Sequence, residues 1–184
     1  MQRNTLKWLF WTSLVLALIS LAALGQVDSY LKTGASPLGV VSFELCAYTQ
    51  SCSAIVASWQ GVAQPMAGLS LGLDYLFMLT YPAAICFGLL LTATLVPSRL
   101  QRATVLAAYI SWLAGAADAV ENYHLFQMLV GAQESLHAWS ASIAATIKFA
   151  VLIPTLGMLL FNYLVFGIAL RAQEVTGKNG GSSA

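Results

Sequence analysis

Charge is what this chain has least of. Its 184 residues carry 8 Lys and Arg against 7 Asp and Glu, so charged side chains make up 8% of the sequence, where an ordinary soluble domain has about 25%. Too few polar groups remain to cover the outside of a water-soluble globule of this size. That excludes a soluble enzyme and a disordered regulator. A formal net charge of +1 offers no basic footprint, so nucleic acid is excluded as a partner as well. Histidine is also scarce, with 2 residues, and neither HxxxH nor HExxH occurs.

What is there is apolar: 59% of the residues are hydrophobic. A spanning helix needs about 20 mostly apolar residues, and four runs qualify, at about 6–25, 69–96, 103–130 and 138–170. The sequence predicts an all-α polytopic membrane protein, a four-helix bundle forming one domain over 1–176, with a flexible glycine- and serine-rich tail at 177–184. Its first partner is the lipid bilayer. Pro97 closes the second run, while Pro82 and Pro154 lie inside runs and should bend them. Arg3 and Lys7 precede the first run, Arg99 and Arg102 fill the second connection, and Arg171 and Lys178 follow the fourth. These clusters fall on one side, which puts both termini in the cytoplasm. Trp8, Trp11, Trp59 and Trp139 are placed near the interfaces. The first run, with Ala23-Leu24-Gly25 after it, has the outline of a signal peptide; it is long for one and is read as a retained anchor.

The first loop, 26–68, is too apolar to be a solvated linker. Phe43, Leu45, Ile55, Val56 and Trp59 suffice for a short helix or two lying on the bundle, with Pro37 and Pro65 punctuating the ends. Cys46 and Cys52 are a candidate disulfide, which requires a break in the helix near Thr49 to Ser51; the alternative is two free buried thiols. Cys86 is ordinary packing within the second run.

Charged groups inside a span are costly and face the bundle interior or a water-filled cavity. Asp74, Asp118, Glu121 and Lys148 are such groups, and helical rise puts them all in the outer half of the membrane. Asp118, Glu121 and Asn122 share one helix face by their i,i+3 and i,i+4 spacing, and Gly115 on that face lets a neighbouring helix approach. Asp74 and Tyr81 are nearly in line on the second helix. Lys148, Thr155 and Asn162 form a seven-residue stripe on the fourth. Glu44 is a further candidate, reaching the pocket from the loop.

Several readings fit this cluster. It can be structural glue in a scaffold, or in an accessory subunit with a membrane-protein partner or a second copy of itself. Its weakness as glue is that three acids share one base, so the surplus invites a proton or a cation. Asp74, Asp118, Glu121 and His124 include metal donors, but no metal is assigned because His124 lies well around the helix from Asp118 and His137 is placed in water at the outer interface. Acid–base chemistry on a lipid-like substrate is a third reading, with no catalytic residue or cofactor assigned. A pocket for a cationic or amphiphilic small ligand, or a path for protons, is a fourth. Binding is favoured.

The strings SFEL at 42–45, LGLDYLFMLTYP at 71–82, GAADAVENYHLFQML at 115–129 and IKF at 147–149 resemble a functionally unassigned group of small bacterial four-helix integral membrane proteins. The resemblance implies a bacterial inner membrane and no particular reaction.

Overall fold

Apolar side chains this numerous outrun what one small interior can hold, and the computed structural model, which describes residues 2–49, 51–132 and 134–167, turns most of them outward. Long helices α1 (Arg3–Asp28), α5 (Ala63–Thr92), α6 (Ser98–Leu129) and α7 (Glu134–Asn162) form a bundle, α7 running on into a π-helical turn at Tyr163–Gly167. These four are long and apolar enough to cross a membrane. Three short helices, α2 (Val40–Glu44), α3 (Cys46–Thr49) and α4 (Cys52–Ser58), lie between α1 and α5.

The seams are made of small residues. Ala17 on α1, Ala84 and Gly88 on α5, Ala108 and Ala114 on α6, and Ala141 and Ala145 on α7 are buried. Leu18, Ile19, Leu79, Leu106, Leu113, Ile147 and Ile153 are exposed. Water would not tolerate that surface, whereas lipid does, and in lipid close backbone approach is what holds helices together. α1 packs chiefly on α5, α5 on α6, and α6 on α7. A Cβ added at Gly88 would meet both Phe10 of α1 and Leu159 of α7, so these helices converge at the end of the bundle away from the short helices.

A tight seam lies where α5 carries a proline inside its continuous helix. Pro82 has no N–H for the carbonyl of Met78 four residues earlier. At that point α6 presents Gly115, where a Cβ would stand 2.5 Å from the Met78 oxygen. One turn away, the Ser111 hydroxyl donates to the Pro82 carbonyl at 3.2 Å. Gly115→Ala is therefore expected to cost about 1–3 kcal/mol by overpacking. Gly72→Ala, where nothing lies within 4 Å, should cost nothing measurable. Thermal unfolding in detergent compares the two, and equal midpoints would refute the contact.

The short helices cap one end of the bundle. Phe43, Cys46, Cys52, Ile55 and Trp59 form a buried cluster with Ala67, Leu71, Leu125, Ala138 and Ala141 from the long helices. Asp28 at the end of α1 accepts the Val40 N–H at 2.7 Å, satisfying a free donor at the start of α2. Gly39 makes the turn before it at φ +61°, and a Cβ there would run into the Asp28 carboxylate. Ser142 of α7 donates to the Glu44 carbonyl at 2.8 Å and accepts the Ala47 N–H at 3.3 Å. Glu134 accepts the Cys52 N–H at 2.8 Å. Cys46 and Cys52 are joined as a disulfide, their Cα atoms 5.1 Å apart, with α3 ending at Thr49 and Ser51 capping α4.

Some expectations shift. The helix containing Asp74 begins at Ala63 and not near 69, so Pro65 stands in its first turn, where a missing N–H is harmless. Trp59 is not an interfacial residue: it is 2% exposed, at the centre of the cap, whereas Trp8, Trp11 and Trp139 are exposed. Arg171, Lys178 and the tail at 177–184 lie outside the described residues.

Candidate functional site

Helical spacing and the cap bring one lysine among several acids. Lys148 projects from α7 and is 6% exposed. Its Nζ lies 2.8 Å from Glu121 Oε2, 3.3 Å from Asp118 Oδ1 and 3.3 Å from Glu44 Oε2. It donates hydrogen bonds to Asp118 and to the other Glu121 oxygen. The Glu44 contact is an ion pair without hydrogen-bond geometry, since that oxygen has no hydrogen-bonding partner. Asp118 and Glu121 both reach one ammonium because they stand one turn apart on α6. Glu44 reaches it because Asp28, Gly39 and Ser142 hold α2 over the bundle.

Asp74 stands apart. It makes no ion pair among the described residues; its Oδ2 accepts a hydrogen bond from Asn122 at 2.7 Å. Asn122 thus binds a carboxylate of α5, where a backbone carbonyl would have been an ordinary partner. Asp74 is half-buried and faces a cavity of about 310 Å³ lined by α1, α2, α5, α6 and α7. Glu44, Tyr81, Asp118, Asn122 and Lys148 also line it, while Glu121 sits behind Lys148, off the wall. The Tyr81 hydroxyl is buried beside Asp118, with no hydrogen bond of normal geometry. The residues singled out in the sequence, Asp74, Tyr81, Asp118, Glu121, Asn122, Lys148 and Glu44, therefore come together around one site.

The sequence marks other wall residues less plainly. Phe77 lies between Asp74 and Tyr81 at helical spacing, a signal that could have been read; Asp28, Phe149 and Leu152 carried none. Ser70, also on the wall, belongs to GLSLG at 68–72. That string has the GxSxG form, but it runs through continuous helix and not the strand-to-helix turn that exposes a nucleophilic serine. His137 is not simply solvated: its Nδ1 lies 2.9 Å from Nδ1 of His124, tying the end of α6 to the start of α7. Thr155 spends its hydroxyl on its own helix, and Asn162 donates to Thr104 at 3.2 Å. The stripe on α7 thus breaks into separate local contacts.

Burial pushes the Glu44 carboxyl above the usual carboxylate range, outweighing the pull of Lys148. The folded state then holds a proton that the unfolded state releases, so this contribution to stability is present at low pH and lost as pH rises through that raised range. Glu44→Gln should flatten this part of the pH profile of the unfolding midpoint. An unchanged slope would show that Glu44 is not its source.

No protein-family model, curated protein or solved structure matches this chain. The resemblance to small bacterial four-helix membrane proteins rests on its strings alone.

Proposed function

We propose that this is a multi-pass protein of a bacterial inner membrane, with cytoplasmic termini, that binds a small cationic or amphiphilic ligand in the outer half of the bilayer. Arg3, Lys7, Arg99 and Arg102 support the orientation, since basic residues are retained on the cytoplasmic side. One observation carries the binding reading. Asp74 faces the cavity with no cation of its own among the described residues, beside a lysine already shared by Glu44, Asp118 and Glu121. An intramembrane acid without a cation is expensive, and a bound cation removes that expense.

In phosphatidylcholine nanodiscs the protein should show one saturable site for a cationic amphiphile, abolished by Asp74→Asn. The rival is a structural subunit, favoured by the ion pairs that tie α2, α6 and α7 together. On that reading Asp74→Asn changes the unfolding midpoint, and no cation binds saturably to the unaltered chain. That second result would end the binding proposal.

A further inference from the structure

Resting on that binding reading, the geometry points to a narrower ligand: a single-chain amphiphile with a primary ammonium head, entering sideways from the bilayer between α1 and α7. The acids alone do not make this site. The Tyr81 hydroxyl is a second pointer, since Tyr81 is 6% exposed, lines the cavity and, though it lies beside Asp118, has no hydrogen bond of normal geometry.

The head follows from the hydrogen bonds left unmade. Asn122 occupies Asp74 Oδ2, which leaves Oδ1 to accept, and the Tyr81 oxygen can accept as well. Both want N–H donors, and a primary ammonium brings three of them. A quaternary ammonium brings none and would leave both oxygens buried against methyl groups, though Phe77 and Phe149 on the wall would attract either cation. A phosphate-bearing head is disfavoured for a different reason. It would meet Asp28, Glu44, Asp74 and Asp118 around the same cavity, where Lys148 is already engaged in three ion pairs.

The tail follows from size and from the wall. About 310 Å³ is at the bottom of the range for small-molecule sites, roughly 300–1,000 Å³. That volume suits a head and the start of one chain, and it does not suit two acyl chains. Below the acids the wall turns apolar, with Leu21 and Leu24 of α1 facing Leu152 of α7. Leu21 and Gly25 are also exposed on the outside of the bundle, so this wall is the one that borders lipid. Farther down, Phe10 and Leu159 close around Gly88 and end the gap between α1 and α7.

The test is a series of equilibrium binding isotherms on the unaltered full-length chain in phosphatidylcholine nanodiscs. The probes are dodecylamine, dodecyltrimethylammonium and butylamine, and Asp74→Asn and Tyr81→Phe are run beside them. Dodecylamine should bind saturably and at least about tenfold more tightly than dodecyltrimethylammonium, the scale set by one buried polar group left unpaired. Tyr81→Phe should narrow that preference and Asp74→Asn should remove saturable binding of both. Butylamine should bind far more weakly than dodecylamine. If dodecyltrimethylammonium binds as well as dodecylamine, and Asp74→Asn abolishes both, the primary-ammonium assignment falls while the cation-binding reading stands. If butylamine matches dodecylamine, the lateral, membrane-borne route falls. If no probe binds saturably, both readings fall together. The probe series on the unaltered chain keeps the outcome decisive even if a variant does not fold.

Discussion

Replacing Lys148 by methionine is expected to cost about 3–5 kcal/mol of stability, the usual penalty for removing one partner from a buried ion pair. Among the described residues the lysine is the one cation touching Glu44, Asp118 and Glu121, and methionine keeps an unbranched chain of about the same volume. Without it those carboxylates face one another in a bundle with little water, where an ionised acid is costly to hold. The converse change should be much milder. Glu121→Gln leaves Lys148 with Asp118 and Glu44 still at 3.3 Å, so the cation is never stranded. Combining Lys148→Met with Glu44→Gln, Asp118→Asn and Glu121→Gln should recover much of the loss, because replacing a whole buried ionic set is often close to neutral. Unfolding in mixed detergent micelles measures all of these. If Lys148→Met unfolds with the midpoint of the unaltered chain, the ion pairs do not hold the bundle together.

How the site could be read from the sequence differs from residue to residue. Asp118, Glu121 and Asn122 were legible because i,i+3 and i,i+4 spacing on a continuous helix fixes a shared face. Lys148 was legible because a lysine within a long apolar run has few places to go. Their approximate common depth needed only the rise per residue and the direction of each span. The bundle itself was legible from the scarcity of charge, and the small residue Gly115 marked a seam. In each case a regular helix carried the information.

The cap was much less legible, for the opposite reason. α2, α3 and α4 are each too short to show a reliable period, and their placement depends on partners distant in sequence. Glu44 reaches Lys148 because Asp28 holds α2, because Gly39 supplies a left-handed turn, and because Ser142 grips the carbonyl of Glu44 itself. No local pattern announces those contacts. The His124–His137 pair is hidden in the same way, since the connection between α6 and α7 decides whether the rings meet. Trp59 reads as interfacial in the sequence because aromatic rings near the ends of spans often are, and only tertiary contacts tell an interfacial tryptophan from a buried one.

Trp59→Ala should therefore be the most damaging change in the cap, at about 3–5 kcal/mol for a fully buried tryptophan. The ring packs edge-to-face on Phe43, centroids 5.1 Å apart. Its Nε1 donates to the Leu31 carbonyl at 2.9 Å and to the Ser36 hydroxyl at 3.2 Å. Truncation leaves a hole between Phe43, Ile55 and Leu31 and removes one of the two donors on the Leu31 carbonyl, the other being the Ser36 hydroxyl. Because Phe43 adjoins Glu44 in α2, loosening it also frees the carboxylate that contacts Lys148, and with it Val40 and Val41 on the cavity wall. Hydrogen exchange should accelerate across 31–58 while the middle of α6 and α7 stays protected, and cation binding at Asp74 should weaken although Asp74 itself is unaltered. Trp59→Phe, which keeps a ring but loses the donor, should fall between the two. Trp11→Ala, a ring 59% exposed on α1, should change neither readout by much. If Trp59→Ala behaved like Trp11→Ala, the cap would not depend on this ring, and Glu44 would have to be held over the bundle by its polar contacts alone.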